Sequence, residues 1–138
     1  VEELMRAAFG PNHCVRPQMP LVLGLSTDPV PDIAVVPGTP RDYAAIQPRT
    51  ALLMVEIAES SLGYDTREKS SLYAAAGITD YWVLDLPHRA LHVFRDPAQD
   101  PSQMFGGIYR SRARLDVSDS VSPLAAPAAK IAARDMLP

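Results

Sequence analysis

The chain holds a single cysteine, Cys14, among 138 residues, so no internal disulfide framework is possible and a reducing, cytoplasmic setting is expected. It has no run of about 18 consecutive apolar residues, which excludes a hydrophobic membrane-spanning helix. No secretory signal pattern is visible. Aromatic residues are few, at 7%. A broad basic surface is also missing: thirteen Lys and Arg stand against sixteen Asp and Glu, for a net charge of −3. That balance argues against a protein that grips DNA through overall positive charge. It does not exclude metal-dependent chemistry, because carboxylates that count as negative in the sequence are neutralised by a bound cation.

The chain does have enough apolar material for a core. Hydrophobic residues make up 47%, and 138 residues are of single-domain size, so one domain over 1–138 is expected. The first residue is Val1, inside a helical pattern, so an upstream segment is expected.

Along the chain, residues 2–9 (EELMRAAF) have helical spacing that Gly10 and Pro11 close. Two proline-broken extended runs follow, about His13–Gln18 and Leu21–Leu25. Residues 32–36 form a strand that Asp32 opens, and 37–50 form a loop with a short turn at 41–46. Residues 51–58 (ALLMVEIA) are the most apolar run and predict a central strand. Asp65 and Glu68 have capping-box spacing, predicting a helix from there to Ala76 with Gly77 as its stop. Strands at 80–86 and 90–95 should form a hairpin across PHR, with one or two more in 105–117 and an irregular tail containing a helical turn near 128–135. The order predicts an α/β fold: a central mixed β-sheet flanked by helices, with the strands at 51–58 and 80–86 parallel because a helix connects them.

Against this background two acids stand out. Asp32 in PDIAVV and Glu56 in LLMVEIAES each lie in a run that reads as buried strand. A carboxylate is costly there unless a metal, a hydrogen-bond network or a counter-charge receives it. If the two strands are neighbours, Asp32, Glu56, the backbone carbonyl near Ile57 and waters would satisfy a hard divalent ion such as Mg²⁺. Such an ion polarises a phosphoryl oxygen and activates water. On the helix, Asp65, Lys69 and Tyr73 are spaced i, i+4, i+8 and share a face. By spacing alone, Asp65 and Lys69 are an ordinary surface ion pair. The polar turn ESSLGYD just upstream, at the C-terminal end of a central strand, favours a site instead.

Other candidates carry plainer readings. Tyr81 and Trp82 are core residues, Asp85 caps the PHR turn, and Ser60 and Ser61 turn the chain. His13, His88 and His92 show no zinc spacing. Residues 89–114 hold five arginines, Arg89, Arg95, Arg110, Arg112 and Arg114, against Asp96 and Asp100. A solvated hairpin face explains that excess as well as a phosphate-contacting patch does.

Taken together, PDIAVV, VEIAESS, DTREKSSLYAAAG and ITDYWVLD resemble the bacterial "putative restriction endonuclease" family of the PD-(D/E)xK nuclease superfamily, over about Arg16 to Arg95 and again in the tail. The resemblance implies a restriction-endonuclease-like fold and Mg²⁺- or Mn²⁺-dependent hydrolysis of nucleic acid, with DNA as the expected substrate and a homodimer as the expected assembly. It implies that Asp32 and Glu56 hold the ion and that Lys69 positions water or steadies charge, with Asp65 and Tyr73 supporting them. Glu2 or Glu3, on the first helix, could reach the ion as an additional acid of the kind many relatives carry there; Gln18, on an edge strand, reads as structural by default, with a place near the site open. One departure matters: the position two after Glu56, where the superfamily has lysine, is Ala58, so the lysine would have moved to Lys69 on the helix. The competing expectation is a non-catalytic nucleic-acid or protein interaction module with the same fold. A weaker one is a phosphoesterase for small phosphodiesters.

Overall fold

A computed structural model describes residues 1–24 and 28–137. Helix α1 (Glu2–Phe9) buries Met5 and Phe9 and ends at Gly10, whose φ of 78° is one that side chains resist. Strands β1 (His13–Pro17), β2 (Ile33–Pro37) and β3 (Leu53–Ala58) follow, with a 3-10 turn at Pro40–Tyr43. Then come α2 (Leu62–Thr66), α3 (Glu68–Ala75), β4 (Asp80–Asp85), β5 (Ala90–Gln99) and β6 (Gly107–Leu115). Short strands β7 (Ser120–Val121) and β8 (Ile131–Ala132) and a 3-10 turn at Ala133–Asp135 complete the chain.

The sheet has the order β1-β2-β3-β4-β5-β6. Only β3 and β4 are parallel, joined by α2 and α3; every other pair is antiparallel. Alternation along the strands sorts their side chains to two covered faces. One face, with Ile33, Val35, Val55, Trp82 and Leu84, packs under α1 and the C-terminal segment through Met136 and Leu137. The other, with Ala34, Met54, Ala58, Tyr81, Val83 and Phe94, packs under α3 through Tyr73 and Ala74. Burial on both faces is why 51–58 and 80–86 read as unbroken apolar runs.

Three expectations need correction. The run Leu21–Leu25 forms no strand over its described residues: the Leu21 amide bonds to Pro29 and the Val22 amide to Pro48, because Pro20 offers no N–H to continue a ladder. Leu25 lies outside the described residues. The helix expected from Asp65 is two pieces that meet at Arg67 (φ −111°, ψ −72°). Thr66 Oγ1 donates to the Leu62 carbonyl and Ser70 Oγ to the Thr66 carbonyl, the back-bonding that bends helices. Asp65 is therefore no N-cap but a buried residue of α2, which starts after Ser61. The tail's helical turn shrinks to Ala133–Asp135.

Helix α3 is pinned to β6 by close backbone approach. A Cβ on Gly107 would collide with the Ala75 nitrogen and the Ser71 carbonyl. Ser71 Oγ accepts from the amides of Phe105 (3.2 Å) and Gly107 (3.4 Å).

Candidate active site

The β2–β3 ladder ends at Ile33 opposite Val55. Beyond that point Asp32 replaces a strand partner: its carboxylate Oδ2 accepts from the Ile57 amide at 2.7 Å, and its own amide donates to Glu56 Oε1 at 2.9 Å. The two acids thus bracket the frayed end of the sheet, each bound through the other's backbone segment. Gln18 fixes the Asp32 carbonyl with its amide at 3.0 Å.

Glu56 is 1% exposed, on the face that α3 covers. Its Oε2 accepts from Lys69 Nζ at 2.5 Å and from the Tyr73 hydroxyl at 3.1 Å. Ala58, next on the same face, presents only a methyl group and leaves the lysine unobstructed. Lys69 also lies 3.6 Å from Asp65, and its ammonium stands 5.7 Å from the centre of the Tyr64 ring. Asp65 is held in turn by Ser61 Oγ at 2.6 Å, and its carbonyl accepts from the Tyr81 hydroxyl at 2.7 Å. The bend at Arg67 notwithstanding, Asp65, Lys69 and Tyr73 all face the acids, and the Asp65–Lys69 pair is no surface pair.

Burial pushes the Glu56 carboxyl up, opposed by the Lys69 and Asp32 donors. Burial alone would lower Lys69, but the Glu56 hydrogen bond and charge, with Asp65 and Asp32, hold its ammonium above the usual range. Burial and then the Glu56 charge drive the Tyr73 hydroxyl far up, so it is a neutral donor.

A cleft of about 590 Å³ opens at this end of β3, lined by Asp32, Ile57, Glu59, Ser60, Glu2 and Gln18 among others. A second cavity of about 620 Å³ lies between α3 and β6. Among the described residues no three His, Cys, Asp or Glu side chains gather closely enough to form an ion cage. Asp32 and Glu56 offer oxygen donors, the ligand type of a hard ion that keeps most of its waters and takes one or two carboxylates. Asp32 Oδ1 takes no hydrogen bond among the described residues, and Ile57 directs its amide toward Asp32, so its carbonyl faces the same edge.

Residues 2–129 match the family model Uma2, described as "Putative restriction endonuclease". The chain belongs to this family. No curated protein matches it. Among solved structures, "a putative nuclease belonging to DUF820" from Anabaena variabilis ATCC 29413 superposes with a TM-score of 0.68. Its sequence is 16% identical, and the match covers 98% of this chain and 74% of that one. At such low identity the likeness shows the fold: restriction-endonuclease-like α/β, with a mixed sheet between helices.

In this Uma2-family chain, Asp32, Glu56, Lys69, Tyr73 and Asp65 come together. Gln18 and Glu2 line the adjoining cleft, Glu2 paired with Arg6 at 2.7 Å. Trp82, Tyr81 and Cys14 are buried, and Asp85 accepts from the His88 amide at 3.3 Å as a turn cap does. Two features escaped the sequence reading. Glu59 lines the cleft; its position directly after β3, beside Ser60, was the available signal. Asp85 also draws in His88 Nδ1 (2.9 Å) and His92 Nε2 (3.9 Å), a grouping set by the β4–β5 register.

Proposed function

We propose that this chain is a Mg²⁺- or Mn²⁺-dependent endonuclease that hydrolyses phosphodiester bonds of nucleic acid, DNA first of all. Asp32 and Glu56 would hold the ion with the Ile57 carbonyl. When bound, the ion supplies a Lewis acid for the phosphoryl oxygen and a water more acidic than bulk. Lys69 donates hydrogen bonds and positive charge next to Glu56, where it can orient the attacking water and offset charge that develops on phosphorus. Tyr73 and Asp65 hold Glu56 and Lys69 in place, and the cleft at the end of β3 admits the strand to be cut. We read 1–138 as one nuclease domain, acting in the cytoplasm and as a homodimer by analogy with enzymes that cut two strands.

One observation carries this proposal. A nearly inaccessible Glu56 is engaged by Asp32, Lys69 and Tyr73 from two separate segments, next to a cleft that Asp32 lines. A purely structural acid needs no second carboxylate beside it.

A second reading has its own support. Both Glu56 oxygens already accept hydrogen bonds. That would suit a non-catalytic interaction module in which the cluster only ties α3 to the sheet.

Nicking of supercoiled plasmid with Mg²⁺ or Mn²⁺ separates the two. Asp32→Asn keeps an acceptor for the Ile57 amide but removes the charge. The expected result is nicking by the wild type, abolished by chelator and lowered about 10²-fold or more in Asp32→Asn, the scale of several kcal/mol of lost charge stabilisation. No nicking with either metal, or nicking that survives Asp32→Asn, favours the interaction module.

A further inference from the structure

Three arginines lie on the same side of the sheet as Glu56 and have no acidic partner among the described residues: Arg67, Arg112 and Arg114. Three other arginines are engaged: Arg95 pairs with Asp80, Arg6 with Glu2, and Arg16 binds Gln47 at 2.6 Å. The register places Arg114 opposite His92, His92 opposite Val83 and Val83 opposite Glu56. Arg114 is thus three strands away, roughly 14 Å at the usual strand spacing. Arg112, opposite Phe94, lays its guanidinium over that ring at 5.0 Å and reaches His92 Nδ1 at 3.4 Å. This packing orders a long exposed side chain before any ligand arrives, which lowers the entropic cost of binding.

The 620 Å³ cavity lies between these elements. Arg67 lines it from the α3 side, Arg112 from β6, and Phe94 and Tyr109 supply apolar surface. Glu68 is the one acid in the lining, so the groove remains net positive. Arg67 is two residues from Lys69. Charged residues on the edge strand β6 also discourage sheet-to-sheet aggregation. That role does not call for stacking one of them on an aromatic ring, nor for a third arginine across a groove.

We propose that Arg67, Arg112 and Arg114 form a phosphate-contacting ridge, on the α3 side of the sheet, for the backbone of the nucleic-acid substrate. The ridge rests on the nuclease proposal for its substrate but makes a separate claim about binding. Guanidinium groups match phosphate geometry bidentately, and such contacts position a strand without reading its sequence. A protein with a net charge of −3 can then bind a polyanion, because its positive charge is concentrated on one track.

The test is fluorescence anisotropy with a labelled DNA duplex in chelator, which blocks cleavage, over a range of salt. It compares wild type, Arg112→Ala/Arg114→Ala, Arg112→Lys/Arg114→Lys, and Arg49→Ala as an exposed control. The double alanine variant should bind about tenfold or more weakly, with a salt slope about 2 units shallower; the lysine variant should retain most binding, and Arg49→Ala all of it. In plasmid cleavage, the alanine variant should raise KM and leave kcat near wild type. Unchanged thermal unfolding of the alanine variant would show that its fold is intact. Wild-type binding that the double alanine variant matches overturns the ridge and leaves the nuclease proposal standing. Binding that the variant loses, in a protein that never cleaves, supports the ridge and sinks the nuclease proposal. No salt-dependent DNA binding by the wild type overturns the ridge.

Discussion

The sheet contains two strongly buried carboxylates that each meet a cation, and they sit in different surroundings. Asp80 is 0% exposed and Glu56 1%. Burial pushes both carboxyls up against the pull of their donors. Asp80 is saturated: Trp82 Nε1 (2.7 Å) and Arg95 Nε (3.0 Å) bind Oδ1, and the Leu124 amide (2.9 Å) and Arg95 Nη2 (3.4 Å) bind Oδ2. Arg95 also reaches the Ser122 carbonyl at 2.6 Å, so the C-terminal segment closes over the pair. Glu56 instead adjoins a second acid and an open cleft, and its cation is a lysine. A guanidinium fork suits a fixed joint; an ammonium on a flexible stem can turn among several acceptors. The surroundings, not the cost of burial, distinguish the two pairs.

The largest break in this comparison comes from Asp80→Ala. It leaves Arg95 uncompensated and frees the Leu124 amide, so chemical denaturation should show a loss of about 3–5 kcal/mol. Cleavage per folded molecule should stay near wild type, since Asp80 lies at the far end of β4 from Asp32. Gly107→Val comes next. Its side chain would force α3 off β6, at a cost of about 1–3 kcal/mol or more. Because α3 carries Lys69 and Tyr73, activity should fall as well, and the two losses should appear together in denaturation and nicking assays.

The smallest effect concerns His92. Burial, then the charges of Arg112 and Arg114, lowers its pKa from 6.5, against Asp85, which raises it. A depressed folded value means that the unfolded chain binds more protons. The stability this group confers is therefore complete above pH 6.5 and is lost as pH falls from there toward the folded value. Thermal unfolding of His92→Gln should show a shallower decline over that window than wild type.

How far the sequence foretells this arrangement depends on distance along the chain. Strands β3 and β4 and their parallel pairing were legible because runs buried on both faces, joined by a helix, leave a local signature. The Asp65 capping box was local too, yet wrong: Ser61 and Tyr81 bind Asp65 inside the helix, and Thr66 and Ser70 bend the chain after it. Asp32 and Glu56 were conspicuous as acids in apolar strands, but their meeting depends on the β2–β3 register, which no local pattern encodes. The same holds for the cleft, whose Glu2, Gln18 and Glu59 come from three segments. It holds also for His92 beside Asp85.

The central claim is that the Lys69–Glu56 pair serves chemistry while the Arg95–Asp80 pair serves the fold. The most direct test is plasmid nicking by Lys69→Met and Arg95→Met, with unfolding followed on the same samples. The account predicts that Lys69→Met loses about 10²–10³-fold in rate per folded molecule, whereas Arg95→Met loses stability and keeps its rate. Nicking by Lys69→Met at the wild-type rate would contradict it.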